Sequence, residues 1–112
     1  MRIRNLTRKF SIEADVADNL WKQTKGLSFS EKRNMLFVFA MKRKWGIWMF
    51  GMRFPIRIAY INSDKNVVDV KDAEPLDLFK PETWLVYKPS AKCKYILEAI
   101  DKKFKVGDKL SW

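Results

Sequence analysis

The longest apolar runs in the chain, MLFVFAM at residues 35–41 and GIWMFGM at residues 46–52, hold seven residues each. A membrane-crossing helix needs roughly 20 apolar residues and a buried helix about 10 to 12, so runs this short fit buried strands. In the first run Phe37 and Phe39 fall on one face and Leu36, Val38 and Ala40 on the other, which predicts a strand covered on both sides. Lys42, Arg43 and Lys44 connect it to a second apolar strand at residues 45–50, where Gly51 permits a bulge or a close backbone approach. Pro55 cannot donate to a sheet ladder, so it belongs at a strand start, an edge or a bulge, with the strand proper at residues 56–61. Asn62 to Asn66 (NSDKN) has the chemistry of a turn and returns the chain into VVDVKD, closing a hairpin.

The flanking segments read in the same way. Residues 2–15 alternate loosely and suit one or two half-buried strands. DNLWKQTKGL predicts a short helix, with Asp18 as N-cap and Gly26 as its left-handed stop. Pro75 and Pro81 mark a surface loop before a short strand, WLVYK. KCKYILE sets Lys92, Lys94 and Ile96 against Cys93, Tyr95 and Leu97 as another strand; AIDKKFK predicts a helical turn, VGD a turn and KLSW a last strand. The expected architecture is mainly β: a single domain over residues 1–112, a small barrel or sandwich of about eight short strands with one or two short helices.

Histidine is absent, which removes Ser-His-Asp and Cys-His catalysis and every histidine-containing metal site. Cys93 is the single cysteine and reads as a small apolar filler, with no disulfide or thiolate cluster available to it. No cofactor, metal site or catalytic residue is indicated, and the acids Asp69, Asp72, Glu74 and Asp77 lack the loop pattern of a calcium site. The amino terminus alternates charged and apolar residues without a basic patch, an apolar run and a cleavage site, which predicts a cytoplasmic protein. Net charge is +10; residues 62–85 carry −3, leaving +13 on the rest. That balance makes polyanions, including nucleic acid and anionic lipid, candidate partners, although a lysine-rich surface also serves solubility.

The order and spacing of these elements are similar to those of the uncharacterised family DUF192. The resemblance spans nearly the whole chain and is carried by Ala17 and Asp18, KGL at 25–27, MLFVF at 35–39, IWM at 47–49, Pro55, DAEP at 72–75, YILE at 95–98 and KVGDKL at 105–110. It implies a compact, mainly β domain and no assigned reaction. In the family the Trp-Met pair is typically followed by Lys-Asn, and an aspartate stands two residues after the proline. Phe50, Gly51 and Arg57 occupy those positions here, so the resemblance implies that a polar cluster is lost or reversed in sign.

The candidate binding residues are Lys42, Arg43, Lys44, Trp45, Trp48, Met49, Arg53 and Arg57. Strand alternation places Arg53 and Arg57 on one face, roughly 13 Å apart at about 3.3 Å per residue, a spacing suited to two groups of one polyanion. Trp45 and Trp48 fall on opposite faces, leaving one to cover an edge or line a pocket beside the three cations, as in stacking platforms for single-stranded nucleic acid. Ordinary core packing accounts for the same aromatics. The leading expectation is a non-catalytic basic module binding an anionic or aromatic ligand or partner. The alternative is a small-molecule site for a carbohydrate or metabolite, enzymatic or not, at a barrel mouth lined by Trp48, Met49 and Arg57.

Overall fold

The computed structural model describes residues 1–17, 33–44, 47–48, 54–74, 86–100 and 103–112. These form ten strands: β1 (Arg2–Asn5), β2 (Phe10–Glu13), β3 (Asp15–Ala17), β4 (Met35–Arg43), β5 (Ile47–Trp48), β6 (Ile56–Ile61), β7 (Val67–Ala73), β8 (Val86–Tyr87), β9 (Cys93–Ala99) and β10 (Leu110–Ser111). A five-stranded sheet runs β3-β4-β9-β6-β7, a three-stranded sheet β10-β1-β2, and β5 pairs with β8. All pairings are antiparallel except β3 with β4. The chain is mainly β, as expected, but among the described residues the sheets do not close into a barrel and no helix occurs. The helix expected from Asp18 to Gly26 lies outside the described residues. Of the expected helical turn over 99–105, Ala99 ends β9, residues 101 and 102 lie outside the description, and Lys103 sits in a turn.

Strand β6, IRIAYI, shows why the central sheet is buried twice. Ile56, Ile58 and Tyr60 join one apolar cluster with Phe37, Phe39, Phe54 and Ile96, while Ala59 and Ile61 join another with Leu36, Leu97 and Phe104. The second cluster includes Ile3 and Leu110, so this face packs against the three-stranded sheet. β-branched residues fit a pleated surface whose two sides are both covered. The expected hairpin is present: Asn62 Oδ1 accepts the Asp64 and Asn66 amides at 3.0 and 2.9 Å, and Lys65 takes the left-handed conformation at φ 63°.

Two bulges depart from strict alternation. Pairing of Ile61 with Val67 would, if continued, set Arg57 opposite Lys71; one extra residue at Val68 sets it opposite Asp72 instead. On β4 the register passes from Val38–Tyr95 to Arg43–Cys93, so β4 spends five steps where β9 spends two. This corrects the expected placing of Cys93 with Tyr95 and Leu97: Cys93 is fully buried in the Phe37 and Phe39 cluster, and the other two lie on the opposite face.

A buried carboxylate fastens the end of the chain to its beginning. Gly107, at φ +92°, turns the segment between Lys105 and Asp108, and Asp108 is 1% exposed. Asn5 Nδ2 donates to Asp108 Oδ2 at 2.8 Å, the Lys105 amide donates to the same oxygen at 2.9 Å, and Arg8 Nε reaches both oxygens at 3.0 Å.

Candidate functional site

The sequence-derived candidates separate in the structure. Arg43 and Lys44 are exposed at the end of β4. Because Arg43 pairs with Cys93, Lys44 and Lys92 are the next residues beyond the pairing on the two neighbouring strands, and Lys92 is also exposed. Lys94 Nζ donates to the Ala40 carbonyl at 3.1 Å, which holds a further cation at this end of the sheet. Trp45, Met49 and Arg53 lie outside the described residues, and Lys42 and Trp48 are described by their backbone, with Trp48 opposite Val86.

Arg57 stands apart from this group. Its Nε and one terminal nitrogen donate to the two Asp72 oxygens at 2.8 and 3.0 Å, and its other terminal nitrogen donates to the Phe104 carbonyl at 3.1 Å. The Asp72 hydrogen bonds hold the guanidinium pKa above its ordinary value, against a smaller opposing effect of burial. Arg57 thus braces the β6–β7 hairpin against the 104 segment. Since its side chain is 18% exposed and that of Asp72 is 49% exposed, breaking the pair should cost about 1 kcal/mol. Urea denaturation of Arg57→Ala, Asp72→Ala and the double variant will check this; Arg57→Lys is expected to behave like Arg57→Ala, because an ammonium lacks the two-pronged geometry.

A second locus was not apparent from the sequence. Glu98, the penultimate residue of β9, the middle strand of the five-stranded sheet, is 4% exposed, and among the described residues its Oε2 accepts no hydrogen bond. It pairs with Met35 on one side and Ile58 on the other, so the three side chains share the face opposite the three-stranded sheet. Farther along that row stand Asp15 on β3 and Lys71 on β7, each two strands away, about 10 Å by strand spacing. Ile96 on β9 and Ile100 just beyond its end flank Glu98 along the chain, and the adjoining row carries Phe37 and Tyr60. Burial pushes the Glu98 carboxyl up to about 8, which makes it largely protonated at neutral pH.

Tyr60 donates its hydroxyl to the Tyr87 carbonyl at 2.5 Å. Burial first, and then the nearby Asp69, Cys93, Glu98 and Tyr87, raise its pKa well above the ordinary phenol value. The sequence obscured Glu98 because it shares strand parity with Lys92 and Lys94, which mark that side of an isolated strand as solvent-facing. Among the described residues no group of three carboxylates or thiols is placed to hold a metal ion, and no helix is long and apolar enough to cross a membrane.

These features define a small, mainly β protein with an ionisable group inside its five-stranded sheet. The chain belongs to the DUF192 family, whose model, described as an uncharacterized ACR, matches residues 3–112. It is 34% identical to a UPF0127 protein of Pyrococcus furiosus, over 94% of this chain and 90% of that one. A UPF0127 protein of Thermococcus sibiricus is 30% identical over 87% of this chain and 64% of its own length. The fold is similar to that of a Sinorhizobium meliloti protein described as a candidate transcription regulator, with TM-score 0.82, 20% identity and coverage of 98% and 89% of the two chains. A protein of unknown function from Novosphingobium aromaticivorans gives TM-score 0.81 at 18% identity, covering 99% of this chain and 82% of that one. At these identities the likeness to the solved structures concerns the fold alone.

Proposed function

We propose that this chain is a non-catalytic binding module that engages an anionic partner through the basic end of the β4–β9 pair. The observation that supports it is the register: Arg43 opposite Cys93 makes Lys44 and Lys92 neighbours across two strands, with Lys94 held close by through Ala40. Asp69 binds the Ser90 amide in the preceding turn at 2.9 Å and offsets part of this charge. Exposed lysines on a rigid sheet end act as point charges along a polyanion, so the expected affinity comes from counterion release and falls with salt. This reading shifts the weight of the candidate surface from Arg57, which is paired, toward Lys92 and Lys94.

Salt titration tests it, with single-stranded DNA, single-stranded RNA and polyphosphate as probes. Binding at low salt should weaken as salt rises, and Lys44→Ala/Lys92→Ala should flatten the single-strand log–log slope by roughly 1 to 1.5, at about 0.7 per phosphate contact. No binding by any probe at low salt, or an unchanged slope in the double variant, would remove the proposal.

A further inference from the structure

The turn that joins β1 to β2 leaves space open at the end of its hairpin. A solvent-open cleft of about 290 Å³ lies there, lined by Arg4, Asn5, Leu6, Lys9, Phe10 and Ser11. Its frame is held from several sides. The Arg8 and Lys9 amides donate to the side-chain and main-chain oxygens of Asn5 at 3.0 and 2.9 Å. The Leu6 amide donates to the Lys109 carbonyl at 2.8 Å, and the Lys109 amide donates to Thr7 Oγ1 at 2.9 Å. Phe10 packs edge to face on Phe104, with 5.1 Å between ring centres. A cleft framed in this way has little left to order when a ligand enters.

The lining sets two cations beside apolar surface. On the outer face of the three-stranded sheet Arg2 stands opposite Glu13 and pairs with it at 3.6 Å. Arg4 stands between Ser11 and Ser111, and among the described residues its side chain has no ion pair or hydrogen bond. Lys9 takes the left-handed conformation at φ 57°, which glycine or asparagine adopts more readily. Lys65 shares that conformation and donates its ammonium to the Trp112 carbonyl, whereas the Lys9 ammonium has no partner among the described residues. Lys103 adds a third positive charge, 5.9 Å from the centre of the Phe10 ring. The nearby carboxylates are already matched, Glu13 by Arg2 and Asp108 by Arg8. Leu6 is 51% exposed, and Phe10 is half-buried.

We propose that this cleft binds a small phosphomonoester whose apolar body is about one ring in size. The ester carries about −1.5 to −2 charge at neutral pH, which matches Arg4 and Lys9 together. Arg4 offers a planar fork to two phosphate oxygens, Lys9 a point charge, and the Ser11 hydroxyl, about 5 Å from Arg4 by cross-strand Cβ spacing, a further donor. Leu6 and Phe10 cover the apolar body. A carboxylate brings one charge to two cations, and inorganic phosphate leaves Leu6 and Phe10 exposed to water. The cleft stands at the lower edge of the roughly 300 to 1,000 Å³ of drug-sized sites, which limits the body to about one ring. This site does not rest on the polyanion reading, which concerns the end of the β4–β9 pair in the other sheet.

Backbone amide NMR titrations with phenyl phosphate, inorganic phosphate, benzoate and benzyl alcohol test the proposal. Phenyl phosphate should give saturable shifts centred on residues 4–11, with inorganic phosphate and benzoate each at least about fivefold weaker and benzyl alcohol not saturating. Arg4→Gln and Lys9→Gly should each weaken phenyl phosphate at least about tenfold, equivalent to about 1.4 kcal/mol. Arg4 is exposed and glycine suits the turn at position 9, so both variants should fold, with an otherwise unchanged amide spectrum as the check. Leu6→Ser should bring phenyl phosphate down to the affinity of inorganic phosphate. Binding unchanged in Arg4→Gln and Lys9→Gly, shifts centred instead on residues 43–44 and 92–94, inorganic phosphate binding as tightly as phenyl phosphate, or no saturable shift with any probe would each overturn the assignment. The salt titration reads Lys44 and Lys92 with different probes, so either site can fail while the other stands.

Discussion

Replacing Asp108 with alanine is expected to lower folding stability by about 3 kcal/mol, the lower end of the range for breaking a buried charge network, because Arg8 retains partial access to water. The carboxylate satisfies an amide side chain, a backbone amide and a guanidinium together. Its removal leaves the Asn5 Nδ2 and Lys105 N–H donors buried without acceptors, and each such orphan carries its own penalty. It also unties β1 from the turn that delivers β10, so the three-stranded sheet loses both an internal clamp and a register stop. In a urea or thermal melt the midpoint should fall by on the order of 10 to 15 °C equivalent. Asp108→Asn should fall in between, since the amide keeps one acceptor but turns an NH2 toward Arg8. If Asp108→Ala melts within about 0.5 kcal/mol of the parent, the clamp is not a stabilising feature.

The same residue fixes the acid side of the stability curve. Burial alone would raise the Asp108 pKa, but the hydrogen bonds from Asn5, Lys105 and Arg8, together with the Arg8 charge, outweigh it and hold the folded-state value below the ordinary one. An acid with a depressed folded pKa contributes stability that is present above its unfolded value near 3.8 and is lost as pH falls through the lower folded value. The parent should therefore lose stability below about pH 4 faster than Asp108→Ala does.

How far the sequence discloses this molecule depends on whether local pattern or long-range register decides each feature. Strand β6 was legible to the residue, because β-branched alternation, a preceding proline and a following Asn-rich turn all mark the same boundaries. β4 was legible for a similar reason, although its extension to Arg43 past the polar Lys42 was not. The Arg57–Asp72 pair was hidden by a single bulged residue, Val68, without which the hairpin register would oppose Arg57 to Lys71. Cys93 changed faces through the β4 bulge, which leaves no signal within β9 itself. The basic sheet end was half legible: Arg43 and Lys44 were read as cations beside an apolar strand, while Lys92 and Lys94 join them only through the β4–β9 register. Glu98 was opaque, because the period-2 rule says which residues share a face but not whether that face is covered. Its burial is a property of β4 and β6 on either side of it and of the apolar cluster around Phe37 and Tyr60.

That burial gives the second large effect, on the alkaline side. The folded protein holds the Glu98 proton up to about 8, whereas an unfolded chain releases it near 4.5. With the folded-state pKa raised, the folded state binds more protons than the unfolded state between these values. The associated stability is fully present below pH 4.5 and is lost as pH rises through about 8. The shift corresponds to on the order of 5 kcal/mol across that window, at about 1.4 kcal/mol per unit. Tyr60, Asp69 and Cys93 share the face, and Asp15 and Lys71 close the ends of its row, so the Glu98 share must be isolated by difference. Glu98→Gln should match the parent within about 1 kcal/mol at pH 5 and exceed it by several kcal/mol at pH 9, with Glu98→Met behaving alike at the alkaline end. Parallel dependence of the two melting curves on pH would mean that Glu98 titrates as a solvated carboxylate. Divergence above pH 6 would show a chain that keeps a destabilising acid where a methionine would pack, and natural selection tolerates such a group most readily where binding or chemistry requires it.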